Sequence, residues 1–275
     1  MRSLLHLDFY RLKKSTLFYG LALMSFVLPA VLFAVSSFTN REPDGSFATA
    51  SIDGATGMLF LLVSLELCFF CALFIGGDQD QGTIKNKRIA GKSKTGILLS
   101  SFLVCAFAAV IFSALACLAL LGAVFLLGMQ PDWSVSIWYF PVLFGGELAL
   151  TALFVALSFA VSRKASAIIA CVLALLILYM GVGLLLGKLN EPEQLPSFSV
   201  VNGESVAEMV PNPAYVSGIM RPILKHVISF FPTGQMYEIM TGFLVPPAFL
   251  LLYALLFTLL CLGAGLWIFN RRDLR

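Results

Sequence analysis

Six long apolar runs constrain the fold of this chain more than any other feature of its sequence. Each run is long enough for an α-helix that crosses a hydrocarbon core of roughly 30 Å, which needs about 20 residues. The composition agrees, because 12% of the 275 residues are charged, whereas soluble domains have about 25%. We therefore predict an all-α polytopic membrane protein with six transmembrane helices. The predicted spans are residues 16–38, 57–76, 97–128, 138–162, 165–187 and 246–269.

The distribution of basic residues predicts the topology. With the N-terminus inside the cell, 14 of the 18 Lys and Arg residues fall on the cytosolic side, as the positive-inside rule requires. Both termini are then cytosolic, and residues 1–275 form a single transmembrane domain that retains its first span as an anchor. The net charge of +3 follows from this topology, so the bilayer is the expected partner and a nucleic acid is not.

Two segments outside the spans have helical patterns. Residues 1–15 alternate apolar and basic side chains, which predicts a short helix in the inner interface, with a frayed cytosolic tail as the alternative. The extracellular loop 188–245 has apolar residues at three- and four-residue spacing from 219 to 231, which predicts an amphipathic helix at the outer leaflet. Pro232, Thr233 and Gly234 end that helix before a second short one near 235–241.

The segment from Gly77 to Gly96 is a long polar, Lys-rich stretch between two apolar runs. We predict a short helix parallel to the membrane, with Thr83 as its cap and Gly91 as its terminator. Ile84 and Ile89 lie among its cations, a surface that suits insertion into a groove on a soluble partner. A solvated basic loop that only fixes the topology is the alternative.

The motifs of catalysis and cofactor binding do not occur in this sequence. Gly91–Lys92–Ser93 resembles the end of a phosphate-binding loop, but Asn86 stands where its first glycine belongs. The two histidines are far apart, and no serine lies in a G-x-S-x-G elbow. The six cysteines lie within apolar runs, so we interpret the Cys68/Cys71 pair as ordinary packing. We predict no catalytic residue, no metal and no cofactor on this chain.

Two acidic residues, Glu66 and Glu147, lie inside apolar runs. A carboxylate at membrane depth is costly, so it usually faces protein or water. The two acids carry protons in one interpretation, and in the other each hydrogen-bonds to a neighbouring helix and holds the packing. Gly145 and Gly146 permit either close helix approach or local unwinding beside Glu147.

The segment Asp78–Lys87, DQDQGTIKNK, resembles the cytosolic loop of bacterial permease subunits of the type-2 ATP-binding-cassette (ABC) transporter family. Three further segments are similar to that family and extend the resemblance over nearly the whole chain. They are LDFYRLKKS at 7–15, FPTGQ at 231–235 and RRDL at 271–274.

This resemblance implies two permease subunits, as a homodimer or a heterodimer, in a bacterial plasma membrane. A separate cytosolic ABC ATPase, which binds ATP and Mg, docks beneath each one. Residues 78–96 then form the coupling helix, residues 1–15 a gate helix, and 215–243 the re-entrant helices that close the outer side. The implied coupling residues are Asp78, Asp80, Gly82, Thr83, Ile84, Lys85, Asn86, Lys87 and Gly91. The implied residues of the extracellular gate are Phe231, Pro232, Gly234 and Gln235.

Three functional hypotheses follow. In the first, the chain is the permease subunit of an ATP-driven exporter for an amphipathic, peptide-like or lipid-like cargo. In the second, it is an ion-coupled carrier or channel that uses Glu66 and Glu147. In the third, it is a membrane scaffold or sensor that transports nothing.

Overall fold

We describe residues 2–39, 52–127, 137–201 and 204–271, from a computed structural model. These residues form helices and one two-stranded sheet. In chain order the elements are α1 (Arg2–Lys14), α2 (Thr16–Thr39), α3 (Ile52–Asp80), α4 (Thr83–Ile89), α5 (Lys94–Leu127), α6 (Tyr139–Ala160), α7 (Lys164–Leu189), β1 (Gln194–Val201), β2 (Glu204–Pro211), α8 (Met220–Phe230), α9 (Pro232–Thr241) and α10 (Pro247–Arg271).

Six of these helices are long and apolar enough to cross a membrane: α2, α3, α5, α6, α7 and α10. They confirm the predicted all-α polytopic fold. Helix α5 has 34 residues, which at 1.5 Å per residue make about 50 Å and exceed a hydrocarbon core of roughly 30 Å. It therefore tilts or projects beyond the membrane. Residue 128, the predicted end of that span, lies outside the described part of the chain.

Helices α3, α5 and α6 form the centre of the bundle, because most of their residues are buried. Large side chains such as Phe60, Phe112 and Phe154 are fully enclosed there. Helices α2, α7 and α10 bury less than a third of their residues, and about half of their residues are exposed. Because these exposed faces are apolar, their surroundings in the cell are lipid or another apolar protein surface.

Gly145 and Gly146 allow α6 to approach two other helices closely. A Cβ atom on Gly146 would lie 2.5 Å from the ring of Phe60 on α3, and one on Gly145 would lie 3.3 Å from Leu251 on α10. Helix α6 continues from Tyr139 to Ala160 without interruption. Of the two predicted roles, the glycine pair therefore provides close packing and no local unwinding.

Several basic segments meet at one end of the bundle. The Lys92 ammonium group donates a hydrogen bond to the Ser3 hydroxyl of α1 at 3.0 Å. That of Lys94 donates to the backbone carbonyl of Asn270, near the end of α10, also at 3.0 Å. The first helix, the segment after α4 and the end of the last span therefore lie together, and we call this region the basic end.

Strands β1 and β2 form an antiparallel hairpin that the sequence analysis did not predict. Their register pairs Val201 with Glu204 and Gln194 with Pro211. Two residues, Asn202 and Gly203, separate the strands in the sequence, and an Asn-Gly dipeptide between short β-prone segments is a strong hairpin signal.

Candidate functional site

Helix α4 lies within the polar segment at the basic end and is bounded by two glycines. Gly82 precedes it with φ +66°, and Gly91 follows it with φ +76°, a conformation that favours glycine. Gly91 N–H bonds to the Arg88 carbonyl and Lys92 N–H to the Lys87 carbonyl, which is the Schellman pattern of a helix end. The predicted terminator Gly91 is therefore confirmed.

The predicted cap Thr83 is wrong. Gly82 occupies the N-cap position of α4, and no side-chain hydrogen bond caps the helix there. Thr83 is instead the first helical residue. Gly82, with its left-handed conformation, therefore makes the turn into the helix without a Ser or Thr cap.

The two faces of α4 differ in burial. Ile84 and Lys87, three residues apart on one face, are buried against the bundle. Ile89 is 84% exposed, and the exposed polar side chains are those of Lys85, Asn86 and Arg88. The prediction that Ile84 and Ile89 both insert into a partner is therefore wrong for Ile84, because its side chain already packs within this chain.

Lys87 belongs to a buried cluster of charges, which we call the basic-end cluster and define by Asp8, Arg11, Asp78 and Lys87. The Lys87 ammonium group lies 2.6 Å from Asp8 Oδ1 and 3.4 Å from Asp78 Oδ2. The Arg11 guanidinium donates to Asp78 Oδ2 and lies 3.7 Å from Asp8 Oδ1. The Ser100 hydroxyl donates to Asp8 Oδ2 at 2.7 Å. The cluster therefore joins α1, α3, α4 and α5.

The cluster is balanced in charge and largely closed to solvent. Asp8 is 0% exposed, Asp78 3% and Lys87 5%. Two carboxylates face two cations, which satisfies the requirement that buried charges be paired. Asp8 was missed in the sequence analysis, because its partner Lys87 is 79 residues away along the chain.

The other predicted coupling acid, Asp80, has a different position from Asp78. It lies on the exposed side of the α3 end, and its Oδ1 accepts a 3.3 Å hydrogen bond from the backbone N–H of Lys164. Lys164 is the first residue of α7. Asp80 thus links the ends of two spans, whereas Asp78 belongs to the basic-end cluster.

Glu66 and Glu147 lie within the spans, and serine hydroxyls are their hydrogen-bond partners. Glu66 of α3 accepts a hydrogen bond from Ser25 of α2. Glu147 of α6 accepts one from Ser64 of α3 at 3.1 Å, while its Oε2 has no hydrogen-bond partner among the described residues. Each acid ties two neighbouring helices together, as the packing interpretation expects.

At the other end of the bundle, α8 and α9 meet in a tight corner. Phe231 separates them, and Pro232 begins α9 where its missing N–H costs nothing. A Cβ atom on Gly234 would lie 2.0 Å from the Ile228 carbonyl oxygen, so only glycine fits there. The buried Gln235 amide donates to the carbonyls of Ser229 and Leu250, both at 3.1 Å. The predicted division into two short helices is confirmed, but the break lies at Phe231 and not at 232–234, and the second helix begins three residues earlier than predicted.

Glu238 also stabilises this corner and was missed in the sequence analysis. Its carboxylate accepts hydrogen bonds from the Ser229 hydroxyl at 2.5 Å and from the backbone N–H groups of Leu244 and Val245 at 2.9 and 3.4 Å. Burial raises the pKa of Glu238 above its usual 4.5, although these hydrogen bonds oppose the shift. No sequence pattern predicts that the backbone N–H groups of residues 244 and 245 bind a glutamate side chain, so Glu238 could not be identified in advance.

Comparison with known proteins adds one finding. A family model described as "ABC-2 family transporter protein" matches residues 4–181, which is more than half of the chain. The match includes α1 from Leu4 onward, α4 and all members of the basic-end cluster, and it ends within α7. The hairpin and helices α8 to α10 lie beyond it. The comparison with curated proteins finds no match.

Proposed function

This chain belongs to the ABC-2 transporter family, and we propose that it is the permease subunit of an ATP-driven exporter. The family and the six apolar helices make it a multi-pass membrane component of an ABC transporter. In our proposal a separate cytosolic ATPase binds ATP and Mg and supplies the energy. This chain then forms the translocation path in a bacterial plasma membrane and catalyses no reaction itself.

The exposed face of α4 is the observation that carries this proposal. It presents two cations, Lys85 and Arg88, beside the apolar side chain of Ile89. Such a face fits a groove that has acidic residues at its rim and one apolar slot. Ile89 is the anchor that we expect to contribute most of the binding energy, because it is desolvated on docking.

A second permease subunit completes the path in this proposal. The first and fifth spans, α2 and α7, bury less than a quarter of their residues within this chain, and we propose that their uncovered apolar faces form the dimer interface. Their exposed side chains are aliphatic and aromatic, as with Leu23 on α2 and Ile177 on α7. An amphipathic peptide-like or lipid-like cargo suits a path with such walls better than a polyanion does.

Ile89→Asp tests the docking proposal. We expect about tenfold less ATPase to co-purify with the variant, because an exposed anchor is replaced by a charge that an acidic rim repels. Lys85→Glu and Arg88→Glu should weaken the complex less, since charges at a rim are only partly desolvated.

Lys13→Glu is the matched control. Lys13 is exposed on α1 at the same end of the bundle. Lys13→Glu therefore makes the same charge change as Lys85→Glu and Arg88→Glu, but at a position outside α4. Equal recovery of the ATPase with the wild type and all three α4 variants, together with unchanged ATP-driven transport, would contradict the proposal. The direction of transport is tested in the same preparation with inside-out vesicles, where an exporter accumulates its cargo.

The ion-coupled carrier is kept as a second candidate because of one observation. Glu147 Oε2 is buried without a hydrogen-bond partner in the described part of the chain. Such an oxygen can accept a proton or a cation. Transport by the isolated chain in liposomes, driven by a proton gradient without ATP and abolished by Glu147→Gln, would establish this function instead.

A further inference from the structure

We propose that Lys87 is a positioning residue that transmits the movement of α4 to α1 and α3 through the basic-end cluster. The inference rests on the proposed function, in which an ATPase moves α4. It separates two roles on one short helix: the exposed face binds the partner, and the buried face passes the displacement into the bundle.

Helix α4 has few other attachments to the bundle. It is 7 residues long, and only Ile84 and Lys87 are buried. A helix of this length is not stable alone, because nucleation is unfavourable and few hydrogen bonds follow it. The glycines at 82 and 91 end it on both sides. The contacts of Ile84 and Lys87 therefore hold α4 in place.

The contacts of Lys87 extend to α1 and α3, the two helices to which we propose that the movement of α4 is passed. Its ammonium group bridges Asp8 in the middle of α1 and Asp78 near the end of α3. Arg11 forms a second bridge between α1 and Asp78. Because every charge of the cluster has a partner on another element, displacing α4 alone would separate buried opposite charges. Moving α1, α4 and the end of α3 together keeps the pairs intact.

The alternative is that the cluster only stabilises the resting fold. The two roles differ in a measurable ratio, which is the amount of cargo transported per ATP hydrolysed. A purely structural cluster changes the amount of folded complex and leaves this ratio unchanged. A transmitting cluster changes the ratio in complexes that are fully assembled.

The experiment uses the double variant Asp8→Asn with Lys87→Gln, which removes one acid and one base and so keeps the cluster neutral. In the assembled complex we expect normal ATPase recovery, continued ATP hydrolysis and about fivefold less transport per ATP, since substitutions on a coupling route change coupling to this extent. An unchanged ratio overturns the inference. Lys85→Gln is the control, because it is exposed on the same helix and should lower recovery of the ATPase without changing the ratio.

A second measurement needs no change in the cluster. Spin labels on Asn86→Cys of α4, Tyr10→Cys of α1 and Ile268→Cys of α10 use exposed positions. We expect the distance between α4 and α1 to be the same without nucleotide and with trapped ATP, while both move relative to α10. A changed distance between α4 and α1, or no movement of either against α10, overturns the inference.

These tests also separate this inference from the proposed function. If none of the three α4 variants affects recovery of the ATPase or ATP-driven transport, docking on α4 fails and the inference fails with it. If Ile89→Asp weakens docking but the double variant keeps the normal transport ratio, docking stands and only the role of Lys87 is refuted.

Discussion

Replacing Lys87 with methionine removes the ammonium group from the basic-end cluster and leaves a side chain of similar length. Asp8 then keeps the Ser100 hydroxyl at 2.7 Å and the more distant Arg11 guanidinium at 3.7 Å. Asp78 keeps Arg11. One negative charge in the cluster therefore has no compensating cation within the buried region.

The cost of this change can be worked from the burial of the cluster. Removing one partner of a buried ion pair typically costs about 3–5 kcal/mol. The Arg11 side chain is 28% exposed, so water reaches that side of the cluster, and we take the lower end, about 3 kcal/mol. Since 1 kcal/mol shifts the melting temperature of a chain of this size by roughly 2–4 °C, we expect a fall of about 6–12 °C.

The assay is thermal unfolding of the purified chain in detergent, followed by circular dichroism. Lys85→Met is the matched control, because it makes the same substitution at an exposed position of the same helix. We expect the control to change stability by less than about 0.5 kcal/mol. Equal melting temperatures for Lys87→Met and Lys85→Met would refute the energetic importance of the cluster.

A double-mutant cycle then tests whether the loss is electrostatic. Adding Asp8→Asn to Lys87→Met removes the uncompensated charge, and a buried pair can often be neutralised as a whole with little loss. We therefore expect the double variant to be more stable than the sum of the two single changes predicts. Strictly additive losses would show that the two side chains do not interact, since independent sites add.

Two further predictions concern the opposite end of the bundle. Gly234→Ala should lower the melting temperature, because its Cβ would lie 2.0 Å from the Ile228 carbonyl oxygen, whereas Gly181→Ala, with open space around it, should not. The raised pKa of Glu238 means that the folded state binds its proton more tightly than the unfolded state, so the stability that this group contributes is fully present below pH 4.5 and is lost as the pH rises through the raised pKa. Melting temperatures measured over a range of pH test this prediction. Glu238→Gln should make the melting temperature less dependent on pH, and identical pH profiles for the variant and the wild type would contradict the prediction.

The existence of the spans could be predicted because apolar length is a property of the sequence alone. Which face of each span is buried could not, since helices such as α3 and α5 are apolar on all sides and have little periodic pattern. Gly145 and Gly146 indicated either a close helix approach or local unwinding, and the structure has the close approach of α6 to α3. The partner Phe60 was not indicated, because nothing in one sequence pairs two residues that lie so far apart along it.

The sequence analysis predicted wrongly which residues of α4 face the partner, and the reason is physical. A lysine on a short polar helix is normally exposed, and the family resemblance placed Lys87 with Lys85 among the coupling residues. Its burial depends on Asp8 and Ser100, which belong to distant segments of the chain. Helical periodicity places Ile84 and Lys87 on one face, but it does not tell which face the bundle covers.

The two faces of α4 are therefore under different constraints. Lys85, Arg88 and Ile89 lie on the exposed face, outside the basic-end cluster. Lys87 is fixed by Asp8 and Asp78, whatever ATPase docks outside. Substitutions on the exposed face should thus alter the choice of ATPase while transport per ATP stays constant, and substitutions in the basic-end cluster should do the reverse. A single exposed substitution that changed both quantities would mean that α4 moves as a flexible segment, and the division of roles between its faces would fail.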